Sequence, residues 1–178
     1  VAAFTTPLPV TVIARMMGIP EDEHERFKRW SNALTGMMDN PFDPSRGASM
    51  QELFQFFAAT LAERRAHPGG TDLISALTRA DEAGVLLSDS EIVGFCILLL
   101  VAGNETTTNL LGNLISNLCK HPDDWARLKA SPILRDAAIE ESLRIDSPAQ
   151  MLMRVATEDA EVGGQVIGKG EMVMVFLA

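Results

Sequence analysis

The sequence predicts a mainly α-helical fold with a small β-sheet region, organised around one long central helix over about 88–120. Three observations predict it. A capping box, Ser88-Asp89-Ser90-Glu91, opens an apolar run that continues to His121-Pro122. Apolar residues recur at helical spacing through the N-terminal two thirds. After Ser147-Pro148 the texture changes to Val, Met, Ile and Thr punctuated by glycine pairs.

The elements follow in order. Pro9 to Met17 is apolar and stops at Gly18, a C-cap signal. Ile19-Pro20-Glu21-Asp22-Glu23 opens a second helix with acids at its positive end. Phe27, Trp30 and Leu34 mark its inner face, and Gly36 is its expected stop. Asp39 to Pro44 is a loop. Leu53, Phe54, Phe56, Phe57 and Leu61 mark an amphipathic helix ending near His67-Pro68-Gly69-Gly70. Asp72 to Arg79 is a shorter helix, followed by a turn at Asp81-Glu82-Ala83-Gly84. The central helix would be about thirty residues, roughly 45 Å long. Its wholly apolar part, Ile92 to Gly103, is too short to span a bilayer and reads as a buried helix. Pro122 and Ser131-Pro132 start two shorter helices, the second running to about Ile145. Two or three short strands follow.

Composition narrows the function. The 178 residues carry 15 basic and 24 acidic side chains, a net charge of -9. That balance argues against a nucleic-acid or anionic-membrane binder, which needs clustered cations. Cys96 and Cys119 form no disulfide framework and lack metal-ligand spacing. His24, His67 and His121 are far apart. A reducing cytoplasm fits these counts. The chain begins at Val1 and ends in the apolar run Met172 to Ala178, which reads as an internal segment, 1–178, of a longer single domain.

Two constellations carry chemistry. The central helix is interrupted by Ala102-Gly103-Asn104-Glu105-Thr106-Thr107-Thr108-Asn109. A glutamate in an apolar helix costs desolvation unless wet or paired. Threonine hydroxyls can bond carbonyls one turn back, and Gly103 lets a flat group approach the backbone. The result is a polar notch able to pass protons. The second constellation is Glu141-Ser142-Leu143-Arg144. Glu141 falls between Leu134, Ala138 and Ile145 on an apolar face, with Arg144 one turn on. That reads as a buried structural ion pair. Glu23-His24-Glu25-Arg26 has the same spacing among charges and reads as a solvated face. Gly163 to Gly170 imitates a phosphate-binding loop, but Gly170 stands where Ser or Thr should hold Mg²⁺, and a strand pattern follows. Glycine turns explain it better.

The run Leu98 to Asn109 resembles the oxygen-binding helix of the cytochrome P-450 haem-thiolate monooxygenases. Glu141-Ser142-Leu143-Arg144 resembles that family's E-x-x-R motif at the expected distance. Pro7 to Trp30 and Met153 to Phe176 resemble its soluble bacterial branch. The resemblance implies a partial P-450 fold and a haem b cofactor. It places Ala102 and Gly103 against the haem, and Arg154 on a propionate. Glu105 matches the proton-relaying acid, and Thr106 the threonine beside iron-bound dioxygen. Leu98, Val101 and Ala102, with Gln150, Met151 and Leu152, would line the substrate pocket. The implied reaction inserts one atom of O2 into a small, mostly apolar organic substrate. Its electrons would come from a ferredoxin or flavodoxin-type donor, with no nucleic acid or membrane involved.

One departure stands out. The family holds iron through a Cys in F-x-x-G-x-x-x-C-x-G. Cys96 has Ile92 at the glycine position. Cys119 has Ile115 there, and His121 where the next glycine should be. The ligand is therefore expected outside this chain, as are the N-terminal helices of the domain, and the fragment alone is expected to be inactive. The contrasting expectation is a non-enzymatic helical interaction module, in which the notch would tolerate apolar replacement.

Overall fold

The computed structural model describes residues 2–35, 44–82 and 85–177. Gly36 and the loop 39–43 lie outside them, as do residues 83–84. The chain divides into two compact units, Val1–Thr108 and Asn109–Ala178.

The first unit is helical. It holds α1 (Ala2–Thr5), α2 (Pro7–Met16), α3 (His24–Thr35), α4 (Pro44–Ala66) and α5 (Leu73–Leu77), and the hairpin β1 (Asp81–Glu82) and β2 (Val85–Leu86). It also holds the first part of α6 (Asp89–Lys120). Helix α2 stops at a Schellman motif. Gly18 adopts φ +69°, its N–H bonds the Arg15 carbonyl, and Ile19 N–H bonds the Ala14 carbonyl. Phe27, Trp30 and Leu34 are buried as their spacing predicts. They meet Leu53, Phe57 and Leu61, an i, i+4, i+8 stripe on α4. Phe54 lies off that stripe and stays exposed. Phe27 and Phe57 pack edge to face with centroids 6.2 Å apart. Each fully buried aromatic contributes about 2 kcal/mol or more.

Helix α5 is shorter than its expected span because Thr78 Oγ donates to the Ser75 carbonyl at 2.8 Å. Asp72 caps its start. Oδ1 accepts from Ser75 N–H at 3.0 Å, and Oδ2 from Ser75 Oγ at 2.7 Å and Arg64 Nε at 3.2 Å. Arg64 also donates to the Gly18 carbonyl at 3.2 Å. Arg64 and Asp72 are only 19% and 15% exposed. A side chain at Gly18 would collide with Asp72, since a Cβ there would lie 2.7 Å from the Asp72 Cβ. This knot joins the ends of α2 and α4 to the start of α5.

Helix α6 is 32 residues long, close to its expected span. Ser88 Oγ accepts from Glu91 N–H at 3.3 Å, and Glu91 Oε2 accepts from Ser88 N–H at 2.7 Å, so the capping box forms. Arg65 adds a bond to Asp89 at 2.8 Å. The apolar part, expected to be a buried helix, is buried within this chain along one face. Burial is confined to the i+4 stripe Ile92, Cys96, Leu100 and Asn104. By length and composition alone α6 could cross a bilayer. Its stripe instead joins the aromatic core of the first unit.

The second unit holds the end of α6, then α7 (Pro122–Ala130), α8 (Arg135–Ile145) and two antiparallel ribbons. Ser131-Pro132 opens a 3₁₀ turn over Pro132–Leu134 before α8 starts, and Ser131 makes no side-chain cap. Four strands form where two or three are expected. β3 (Met151–Val155) pairs with β6 (Met172–Phe176), and β4 (Ala160–Val162) with β5 (Gln165–Ile167). Gly163 and Gly164, at φ +59° and +79°, make the tight β4–β5 turn. The amides of the next glycine turn are already bonded. Gly168 N–H goes to Glu171 at 2.7 Å and Lys169 N–H to Asp159 at 2.8 Å. That turn leads into β6 rather than a helix, so it is no phosphate cradle.

Burial disfavours the Asp72 carboxylate, but the bonds from Ser75 and the Arg64 charge outweigh it and hold its pKa below the ordinary value. Its stabilisation is therefore full above the ordinary aspartate range and fades as pH falls through the lower, folded value. Asp72→Ala should lower unfolding stability by about 2 kcal/mol at neutral pH. Urea unfolding at several pH values should show variant and wild type converging in acid. A gap constant with pH would count against this account.

Candidate functional site

The notch residues divide by helix geometry. At about 100° per residue, Leu98, Ala102, Glu105, Thr106 and Asn109 share one face of α6, opposite the buried stripe. Leu98 is 63% exposed, and Ala102 and Glu105 are exposed as well. Val101 sits at the edge, packed partly on the core. Thr106 Oγ donates to the Ala102 carbonyl at 2.6 Å, the expected bond one turn back. The helix remains continuous there. That bond uses the Thr106 proton and leaves the hydroxyl oxygen able to accept. Thr106 lies on the same face as Leu98 and Ala102 and is half-buried, and Thr107 projects from another side of the helix and is exposed.

Gly103 does not look outward. A Cβ there would meet Ile13 Cδ1 of α2 at 3.0 Å, so its small size admits a neighbouring helix. Asn104, read in the sequence only as one member of the polar notch, points into the core. It is 4% exposed, and its amide donates to Ser31 Oγ of α3. Its position as the fourth member of the i+4 stripe was the available signal.

In the second unit, Arg144 grips Glu141 with both arms, Nε to Oε2 at 2.8 Å and Nη2 to Oε1 at 2.7 Å. These bonds hold the Glu141 carboxyl below its ordinary pKa and raise that of Arg144. The pair forms as expected, but its burial is corrected. Within this chain Arg144 and Glu141 are 69% and 54% exposed, because none of the described elements covers that face. The apolar flank is present. Leu134, Ala138 and Ile145 line a groove of about 340 Å³ with Leu114, Leu118 and Ser142. Ser142 Oγ is buried without a hydrogen-bond partner among the described residues.

Strand β3 carries the other expected residues. Alternation puts Leu152 and Arg154 on one face and Met151 and Met153 on the other. Gln150 aligns with Leu152. The three expected pocket residues 150–152 therefore do not share a face. Arg154 is exposed and donates to the Met153 carbonyl at 2.9 Å.

The family model for cytochrome P-450 matches residues 44–178. The chain belongs to the cytochrome P-450 family. It is 41% identical to the P-450 YjiB of Bacillus subtilis, over 98% of this chain and 46% of that protein. It is 40% identical to the vitamin D(3) 25-hydroxylase of Pseudonocardia autotrophica, over 96% of this chain and 42% of the relative. Among solved structures, CYP109E1 of Bacillus megaterium in complex with testosterone superposes with a TM-score of 0.85 at 40% identity. That match covers 97% of this chain and 47% of the solved one. The chain thus spans less than half the length of these P-450 relatives.

The residues present fit a haem in part. An exposed small-and-apolar face with a carboxylate and a hydroxyl suits one flank of a flat, apolar group. The iron ligand is another matter. Cys96 is in the core, where burial pushes its thiol up to about 11. Cys119 is exposed in the last turn of α6. Among the described residues no cluster of three or more metal-ligating side chains exists. A thiol-reactive disulfide applied to this chain should titrate Cys119 quickly and Cys96 only on unfolding. Two fast thiols would contradict the packing of α6.

Proposed function

We propose that the full-length protein containing this chain is a haem-dependent monooxygenase. It inserts one atom of dioxygen into a mostly apolar organic substrate, and the other atom leaves as water. The observation that carries this reading is the open face of α6, where Glu105 and Thr106 adjoin Leu98 and Ala102. Haem with a thiolate ligand supplies the oxygen chemistry when bound, and that Cys belongs to a part of the protein outside this chain. The reaction consumes two electrons and two protons, and this chain's residues serve the protons. Thr106, anchored on the Ala102 carbonyl, accepts from and orients a water on the apolar face. Glu105, exposed on the same face, exchanges protons with it.

Leu98, Val101 and Ala102 form one apolar wall of the substrate space. In the second unit Gln150, just before β3, shares a strand face with Leu152 and Arg154, and Arg154 is the residue that the family resemblance matches to a haem propionate. Ala102, on the open face, would bring backbone near the haem edge, while Gly103, expected beside it, packs on Ile13 of α2. Relatives named for a vitamin D(3) hydroxylation and a testosterone complex support an apolar substrate. A ferredoxin or flavodoxin-type protein in the cytoplasm would supply electrons. The segment is one part of a single domain. No observation favours the non-enzymatic module.

Thr106→Ala in the full-length, haem-loaded protein should keep oxygen consumption while product formation falls on the order of 10²-fold. Glu105→Gln should slow product formation by a similar factor. Oxygen and product measured together check both. The reduced full-length protein with CO should show the thiolate-type Soret shift, whereas the 178-residue chain alone should not. A thiolate signature from the chain alone would overturn the assignment of the ligand to another segment.

A further inference from the structure

We propose that Asn104 is a positioning residue that sets the rotation of α6 about its own axis, and with it the aim of Glu105 and Thr106. The inference rests on the oxygenase reading above and extends it to a buried residue. Ile92, Cys96 and Leu100 dock α6 by apolar contact. Such contact is non-directional, and a row of aliphatic side chains tolerates small rotations. The next member of the row is polar. Asn104 bonds Ser31 Oγ, which is fully buried on α3. It also meets the Thr108 hydroxyl at 3.5 Å, and Thr108 in turn donates to the Thr5 carbonyl of α1 at 3.2 Å. Thr108 has one hydroxyl proton, shared between the Thr5 carbonyl and Asn104 Oδ1, whereas with the amide turned over Asn104 would accept from Ser31 and donate to Thr108.

A buried amide has few satisfactory arrangements, and an unsatisfied one is costly. That directional demand converts sliding apolar contact into one register, as a single buried Asn does in a helix seam. Glu105 and Thr106 follow Asn104 directly in the chain, about 100° and 160° round the helix from it. A 20° rotation would move a side-chain tip about 6 Å from the axis by roughly 2 Å. Proton transfer geometry does not survive such a shift. Ile13 against Gly103 backs the same turn from α2.

The test uses the full-length, haem-loaded protein. Asn104→Leu should lower product formed per reductant consumed at least about fivefold, with reductant consumption held within about twofold. Amide hydrogen exchange over residues 102–109 should accelerate about tenfold. Ser31→Ala should move both readouts the same way, and the double variant should be no worse than Asn104→Leu alone. If Asn104→Leu fails to fold, Ser31→Ala and Thr108→Val carry the same measurements. A lowered melting temperature with unchanged coupling and exchange would make Asn104 a packing residue and overturn the proposal. Should wild type itself show neither the thiolate signature nor product, the oxygenase reading fails, and the exchange measurements alone decide the pin.

Discussion

Everything that positions the site depends on how one face of α6 is held. Four residues spaced by i+4, Ile92, Cys96, Leu100 and Asn104, put that helix into the core of the first unit. Burial of each aliphatic member contributes about 2 kcal/mol, and that drive has no preferred rotation or sliding register. Direction comes from polar contacts at defined heights. Ser88 and Glu91 fix where the helix begins, and Arg65 ties that start to the end of α4 through Asp89 and the Leu87 carbonyl. Asn104 fixes the rotation a few turns later. Apolar area supplies the affinity, and a few satisfied polar groups supply the geometry.

The same logic runs through the helices beneath. Asp72 caps α5 and pairs with Arg64, which reaches the Gly18 carbonyl at the end of α2. Only glycine suits position 18, because its positive φ and the nearby Asp72 carbon exclude a side chain. The knot therefore locates α2, and α2 presents Ile13 to Gly103. A carboxylate far from the notch thus has a packing route to it. The route is contiguous contact, which is a physical path for strain but not by itself evidence of coupling.

What was legible in the sequence follows from which interactions are local. The capping box at Ser88, the stop at Gly18 and the Gly163-Gly164 turn are decided within a few residues, and each formed where read. Periodicity likewise identified Phe27, Trp30 and Leu34 as inward. Errors arose where local alternatives compete and where a partner is distant. Thr78 shortened α5 by bonding back to Ser75, and Ser131 gave way to a 3₁₀ turn. Composition suggested a buried helix without saying which face is covered, because Leu98 and Leu100 look alike in sequence. They differ only in what other elements bring to them. Gly103 shows the same limit: its smallness was readable, but its neighbour, Ile13, was not. Asn104 read as part of a polar notch, although its partner Ser31 lies far away in the chain.

The two charged constellations differ in how they use exposure. Glu141 and Arg144 neutralise each other through a bidentate pair that uses two of the five guanidinium N–H groups, so cover from further protein would strengthen their attraction without leaving a lone charge. Neither group is then free for proton transfer, which makes the pair a fastener beside the apolar groove of α6 and α8. Glu105 stands on an open helical face, and Thr106 spends only its proton, on the Ala102 carbonyl. Groups that must exchange protons with a bound molecule cannot be fully satisfied by their own fold. Holding α6 firmly by one face is what allows the other to carry such unsatisfied groups at fixed positions. The polar residues of the notch thus separate by direction within one turn: Asn104 turns inward to Ser31, and Glu105 and Thr106 lie on the side of the helix away from the core, where the proposed proton chemistry needs them.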